Sequence, residues 1–323
     1  MKIPRRRILS LAAGAATLTV FSEAARPEAY PARPVRIIVG FPAGGPSDIL
    51  ARLIGKWLSE RLGQQFFVEN LSGAGSSIAA EAVVRSPPDG YTLLLVGTPN
   101  TINASLYNNL NFDITRDIAP ITGIMRVPNV VAVAPSLPVK TLPDFIAYAK
   151  ARPDKIKMAA VGVTTRLSGE LFKMMTGLSM SFVGSSSLVD MLAGLFRAET
   201  QVVFDGLPSS VEYIRTKKLR ALAVTTASRS SALPEIPPVG DFVRGYEASA
   251  WFGLGASRET PAEIVDLLNR EINLGLANRI LKGRIADLGG TVLPGTAAEF
   301  GTLLSDETAK WRRVVLFSGV NAN

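Results

Sequence analysis

Short apolar runs alternate with amphipathic helical stretches along this chain, and the alternation starts again midway. Val35–Gly40, Phe66–Glu69 and Tyr91–Val96 read as strands, each followed by residues at helical spacing. After the first strand, Ile49, Leu50, Leu53, Ile54, Trp57, Leu58 and Leu62 fall on one helical face, with Gly63 where a C-terminal cap belongs. Strand–helix repetition predicts a parallel sheet with right-handed crossovers. The loops beginning at Phe41, Asn70 and Gly97 then share the edge at the carboxyl ends of the strands, where open α/β sheets bind ligands.

A second unit repeats the construction. Lys157–Val161, Met180–Gly184 and Gln201–Phe204 read as strands, and Arg166–Thr176, Leu188–Phe196 and Ser209–Thr216 as helices. The loops between them are Gly162–Thr165, Ser185–Ser187 and Asp205–Pro208, and Leu219–Thr225 closes the unit. Ile121–Ala134, β-prone and broken at Pro128, crosses between the units, and Glu247–Ala256 crosses back. Capping boxes at Thr260–Glu263 and Thr296–Glu299 start two later helices. The expected fold is α/β with two lobes, each a mostly parallel sheet flanked by helices. Residues 30–128 with 252–323 form the first lobe and 129–251 the second, a division that suits a chain of 323 residues. Faced together, the six loops would line a cleft.

Composition removes whole classes of chemistry. The chain has no cysteine and no histidine, so it holds no disulfide, thiolate nucleophile, Ser-His-Asp triad or histidine metal site. No P-loop and no Ser-Lys pair is present, and no metal or cofactor is expected. Residues 1–24 read as an export signal: Lys2, Arg5, Arg6 and Arg7 precede the apolar run Ile8–Phe21, and Ser22-Glu23-Ala24 offers a cleavage site. Arg5-Arg6-Arg7-Ile8-Leu9 fits either a twin-arginine or a general secretory signal, so a periplasmic location is expected. The net charge is +8; that segment carries four bases and one acid, leaving +5 for the rest. The remaining basic residues are scattered rather than striped, which argues against nucleic acid.

The candidate site is built of loops. Phe41-Pro42-Ala43-Gly44-Gly45 links the first strand to its helix; its glycines can take positive φ, and Ser47 suits an N-cap. The stretch is either an ordinary βα connection or a seat for an anion on free amides at a helix start. Ser72-Gly73-Ala74-Gly75-Ser76, and Thr98 with Asn100, are small or polar residues on the same expected edge. Gly73-Ala74-Gly75 is half a dinucleotide fingerprint, without its third glycine or distant acid. Thr164, Thr165 and Ser185 occupy the second-lobe loops. Asp48 suits helix capping and loop shaping first, ligand contact second. Asp205 either starts a helix or serves the cleft, closing it or bonding a ligand hydroxyl. Arg166, at a helix start that disfavours a cation, is either solvated or paired with an anionic ligand.

Five segments carry a family resemblance: Phe41–Asp48, Pro88–Leu93, Leu219–Thr225, Leu233–Pro237 and Trp251–Leu254. In order, from about Tyr30 to Phe300, the chain resembles the Bug family, the extracytoplasmic solute receptors of tripartite tricarboxylate transporters. The resemblance implies a Venus flytrap that is not an enzyme. It would hold a small carboxylate, on main-chain groups and water, between Phe41–Asp48 and Ser72–Ser76. The implied partners are membrane permease subunits; a sensor kinase is the alternative, and an enzyme using Asp48 and Asp205 is a further one. Three positions depart from the family pattern. Arg166 stands where a histidine is usual, Ser181-Phe182-Val183-Gly184 replaces Pro-Tyr-Lys-Gly, and Gly194–Val202 carries Phe196 and Arg197 in place of Gly-Gly-Gln-Val.

Overall fold

A computed structural model describes residues 30–107 and 109–321, so the expected export signal lies outside the described residues. The first unit runs β1 (Val35–Val39), α1 (Pro46–Leu62), β2 (Phe66–Asn70), α2 (Ser77–Val84), β3 (Thr92–Gly97), α3 (Thr98–Leu106) and a single turn, α4 (Ile114–Asp117). The long strand β4 (Ile118–Val127) ends at Pro128, beyond which β5 (Asn129–Val133) enters the second sheet. There follow α5 (Leu142–Lys150), β6 (Ile156–Ala160), α6 (Val163–Thr176), β7 (Met180–Gly184), α7 (Leu188–Phe196), β8 (Val202–Gly206), α8 (Leu207–Arg215) and β9 (Arg220–Val224). The chain returns through β10 (Ala250–Ser257) to α9 (Ala262–Ala277), α10 (Arg279–Asp287), β11 (Thr291–Val292) and α11 (Ala297–Ser318).

Two mixed sheets result. The first is ordered β11-β4-β10-β3-β1-β2 and the second β7-β6-β8-β5-β9. β1, β2 and β3 are parallel, as are β6, β7 and β8. The crossing strands β10 and β5 run antiparallel to both of their neighbours, and the short edge strand β11 is also reversed in the first sheet. Both faces of β1 are buried. Val35, Ile37 and Val39 meet Leu50, Ile54, Leu58, Leu268 and Ile272 on one side, while Ile38 meets Ala79, Val83, Trp251 and Phe300 on the other. Past Arg36, which is partly exposed, the apolar run Ile37–Val39 is buried on both faces, as a sheet covered on both sides demands.

The last helix belongs to both lobes. Phe300 and Leu304, near its start, pack in the first-lobe cluster; Trp311, Val314 and Val315 pack with Phe145, Phe172 and Phe204 of the second. Val320, just past its end, joins the same second-lobe cluster.

Three local expectations are corrected. Gly45, not Ser47, is the N-cap of α1, and Ser47 lies inside the helix. Thr260 forms no capping box, because its hydroxyl donates to the Ser257 carbonyl and Pro261 takes the cap position of α9. The box at Thr296 does form, with Glu299 accepting from the Thr296 amide and Thr296 from the Glu299 amide. Finally, α6 begins at Val163 rather than Arg166, since Gly162 caps it at φ 84° and the Arg166 amide already bonds to the Gly162 carbonyl.

Candidate functional site

Parallel pairing of β1 with β2 in register, Val39 opposite Asn70, brings the loops after both strands to one sheet edge. Asp48, buried in the first turn of α1, shapes the first loop. Its carboxylate accepts from the Gly44 amide at 2.9 Å, Arg52 Nε at 3.0 Å and Asn70 Nδ2 at 3.0 Å. Asn70 Nδ2 also donates to the Phe41 carbonyl at 3.0 Å, so both ends of the loop are tied to one cluster. The Arg52 guanidinium first, then the Gly44 amide and Asn70, hold the Asp48 carboxyl below the usual carboxylate range against the opposing effect of burial. Gly44 has φ 82°, which an L side chain rarely adopts, but Gly45 at φ −76° is extended and needs no such freedom. Among the described residues no acceptor is found for the amides of Ala43 and Gly45.

The second loop is more strained. Gly73, Ala74, Gly75 and Ser76 all have positive φ, at 141°, 44°, 59° and 79°. Such a run persists only when its surroundings over-determine it. Asn103 on α3 does much of this, with Nδ2 donating to the Ala74 carbonyl at 3.1 Å, the Gly75 carbonyl at 2.7 Å and Ser77 Oγ at 3.0 Å. A trans peptide sets its N–H opposite its C=O, so the Gly75 amide faces away from Asn103. Asn100 completes the frame: Oδ1 accepts from the Gly97 amide at 2.9 Å, and Nδ2 reaches Ser76 Oγ at 3.3 Å.

Across from this edge, a cavity of about 310 Å³ opens between the lobes. Gly75, Asn103 and Tyr107 line it from the first lobe; Gly162, Arg166, Phe182 and Ser185 from the second. Val320 and Asn321, beyond α11, add a further wall. Arg166 is half-buried, with its guanidinium carbon 4.2 Å from the Phe182 ring centroid, a cation–π contact. Its Nε is buried with no hydrogen-bond partner, and no ion pair reaches its guanidinium among the described residues. Glu170, one turn along α6, would be the natural (i, i+4) partner, but it faces Lys173 at 2.9 Å. The guanidinium charge is balanced by no ion pair among the described residues, and an anion in the cavity would balance it.

Of the residues singled out in the sequence, Gly75, Arg166 and Ser185 line this cavity together. Phe41–Gly45, Ser72, Gly73 and Ala74 lie on the adjoining edge without lining it, and Ser47 and Asp48 are buried behind them. Ser76, Thr98 and Asn100 are buried braces; Thr98 Oγ1 accepts from the Trp251 amide at 2.9 Å. Thr164 and Thr165 are helical, and the Thr165 hydroxyl donates to the Val161 carbonyl at 2.6 Å. Asp205 is buried and accepts from Ser210 Oγ at 2.6 Å; burial pushes its carboxyl up. The sequence reading missed Asn70, Asn103, Tyr107, Val320 and Asn321. An asparagine closing a strand, as Asn70 does, and a second one three residues after Asn100 were legible signals. Nothing local pointed to the residues after α11.

Residues 50–319 match the family described as Tripartite tricarboxylate transporter family receptor. The chain belongs to this family. Protein BugT of Bordetella pertussis is 35% identical to this receptor over 303 residues, covering 90% of this chain and 91% of BugT. Among solved structures, R. palustris Rpa4515 with adipate is 36% identical, with a TM-score of 0.73 over 90% of this chain and 99% of that one. MatC from Rhodopseudomonas palustris, with bound malate, is 27% identical, with a TM-score of 0.70 over 88% of this chain and all of MatC, 100%. The two-lobed α/β fold expected of this receptor is thus that of its relatives.

Proposed function

We propose that this receptor captures a small carboxylate in the cavity between its lobes and delivers it to the permease subunits of a tripartite transporter. The observation that carries the reading is Arg166, a cation with no ion-pair partner among the described residues, in a cavity that Gly75 lines from the other lobe. One ligand carboxylate would sit at the Gly75 edge of the first lobe, within reach of the adjoining loop amides, and Arg166 would draw the far end. Adipate and malate in the two R. palustris structures support a carboxylate as the ligand class. Lobe boundaries at 128/129 and 251/252 are part of the proposal, with export to the periplasm through the N-terminal segment. No helix among the described residues is long and apolar enough to cross a membrane.

A binding role also suits the carboxylates. Asp48 is engaged by three donors and Asp205 by Ser210, which leaves neither placed as a free acid or base. Thermal unfolding measured with a panel of mono-, di- and tricarboxylates tests the reading, since a ligand that binds only the folded state raises Tm. A rise with at least one of them is expected; a flat response to the whole panel would contradict it. Co-purification with the permease subunits tests the delivery step.

A further inference from the structure

We propose that Glu247 is a positioning residue for the cavity: it pins the segments that join the two lobes and so sets the angle between them. The inference holds for whatever ligand the cavity takes. Among the described residues, three segments pass between the lobes: the β4–β5 crossing at Pro128, the return from β9 into β10, and α11. Glu247 stands on the second, just before β10, and reaches the other two. Its Oε1 accepts from Arg126 Nη1, near the end of β4, at 2.6 Å, and from Ser249 Oγ. Its Oε2 lies 3.5 Å from Lys310 Nζ on α11, which also donates to the Glu247 main-chain carbonyl at 3.0 Å.

One carboxylate thus balances two cations from two different connecting segments. The Arg126, Glu247 and Lys310 side chains are only 23%, 22% and 18% exposed, so solvent screens the cluster less than it screens a surface pair. Glu307 also pairs with Lys310, but both sit on α11 and hold only that helix. Among the described residues no other ion pair joins two of the connecting segments. The packing beside the cluster leaves room for movement. A cavity of about 340 Å³ lies against Arg126 and Glu247, bounded by Pro128, Ser228, Ser230 and Thr291. A close-packed core resists gradual deformation, whereas segments beside a void can shift without displacing a packed layer. A hinge that packing leaves loose is held by its polar contacts, and Glu247 supplies the charged ones that span segments. The angle it sets governs the width of the interlobe cavity, since Gly75 and Arg166 line it from opposite lobes.

Distances between paired spin labels, measured by double electron–electron resonance, read the angle directly. The chain has no cysteine, so Gln65→Cys and Ser181→Cys would carry the only labels. Both positions are exposed, one just before β2 and one on β7. Those strands end the two sheets on the side away from the crossing strands, where a change of angle moves them most. In the ligand-free full chain, Glu247→Gln is expected to raise the population outside the wild-type distance peak by about tenfold, a usual scale for coupling between two states. Arg126→Gln removes one of the two cations and should do the same to a smaller degree; it carries the test by itself should Glu247→Gln fail to fold. Glu271→Gln is the control. Glu271 pairs with Arg61 and Arg270 inside the first lobe, so its loss should lower Tm without moving the distance. A distance distribution unchanged in Glu247→Gln and Arg126→Gln would overturn the inference. Equal broadening in Glu271→Gln would overturn it too, because the effect would then be general loosening. With no ligand in the measurement, neither result bears on carboxylate capture.

Discussion

The two edges of the cleft are built on opposite plans. On the first lobe, side chains serve the backbone: Asp48, Asn70, Asn100 and Asn103 spend their polar atoms holding two strained loops, whose amides are left to act. On the second lobe, the backbone serves a side chain. Gly162 caps α6, Phe182 lies under the guanidinium, and Arg166 has no ion-pair partner among the described residues. The difference teaches a division of labour. On the proposed function, a preorganised cradle would bind any carboxylate group, because its ordering cost is met at folding. A single charge opposite it would add selectivity, because it would act only on ligands that reach it.

Cutting the braces of the first lobe should therefore affect every ligand. The largest effect is expected from Asn103→Ala, which strips three acceptors of a buried donor and should cost about 2–3 kcal/mol of stability in a denaturant titration. Mono- and dicarboxylates should weaken together in that variant. Next comes Gly75→Ala, at φ 59° and with its Cβ 2.9 Å from Asn103 Nδ2, expected to cost about 1–3 kcal/mol through backbone strain.

The two cleft-edge aspartates sharpen the contrast, because their carboxyls shift in opposite directions. The Asp48 pKa is lowered in the folded protein, so its contribution is present above the ordinary carboxylate range and is lost as pH falls through the lowered value. Asp48→Asn should lower stability by about 1–2 kcal/mol at neutral pH and flatten this acid-side loss in urea titrations across pH. The Asp205 pKa is raised, so its contribution is present at low pH and is lost as pH rises through the raised value. Asp205→Asn keeps an acceptor for Ser210 and should change stability at neutral pH by less than about 0.5 kcal/mol. A large loss there would mean that the second lobe is also braced through its carboxylate.

The alternation of strands and helices was legible because apolar runs of strand length and one-sided helical spacing are set by local periodicity. So was the shared sheet edge, which follows from parallel pairing alone. Lobe closure was not. Whether Thr165 offers its hydroxyl to a ligand or to Val161 depends on where α6 begins, and Gly162 moved that start by three residues. Asn103 was overlooked because its partners, Ala74 and Gly75, lie far back in sequence and meet it only once α3 packs beside their loop. Val320 and Asn321 reach the cavity only because α11 crosses from one lobe to the other, a tertiary fact without a local signature.

The central claim is that the first lobe grips a carboxylate and Arg166 reads the second one. Calorimetric titration of adipate and of its one-carboxylate counterpart hexanoate, into wild type and Arg166→Ala, tests it most directly. The account predicts that the variant loses about a hundredfold in adipate affinity, the scale of removing one member of a partly buried charge pair, while hexanoate changes little. Equal losses for both acids, or adipate affinity untouched by the substitution, would contradict it.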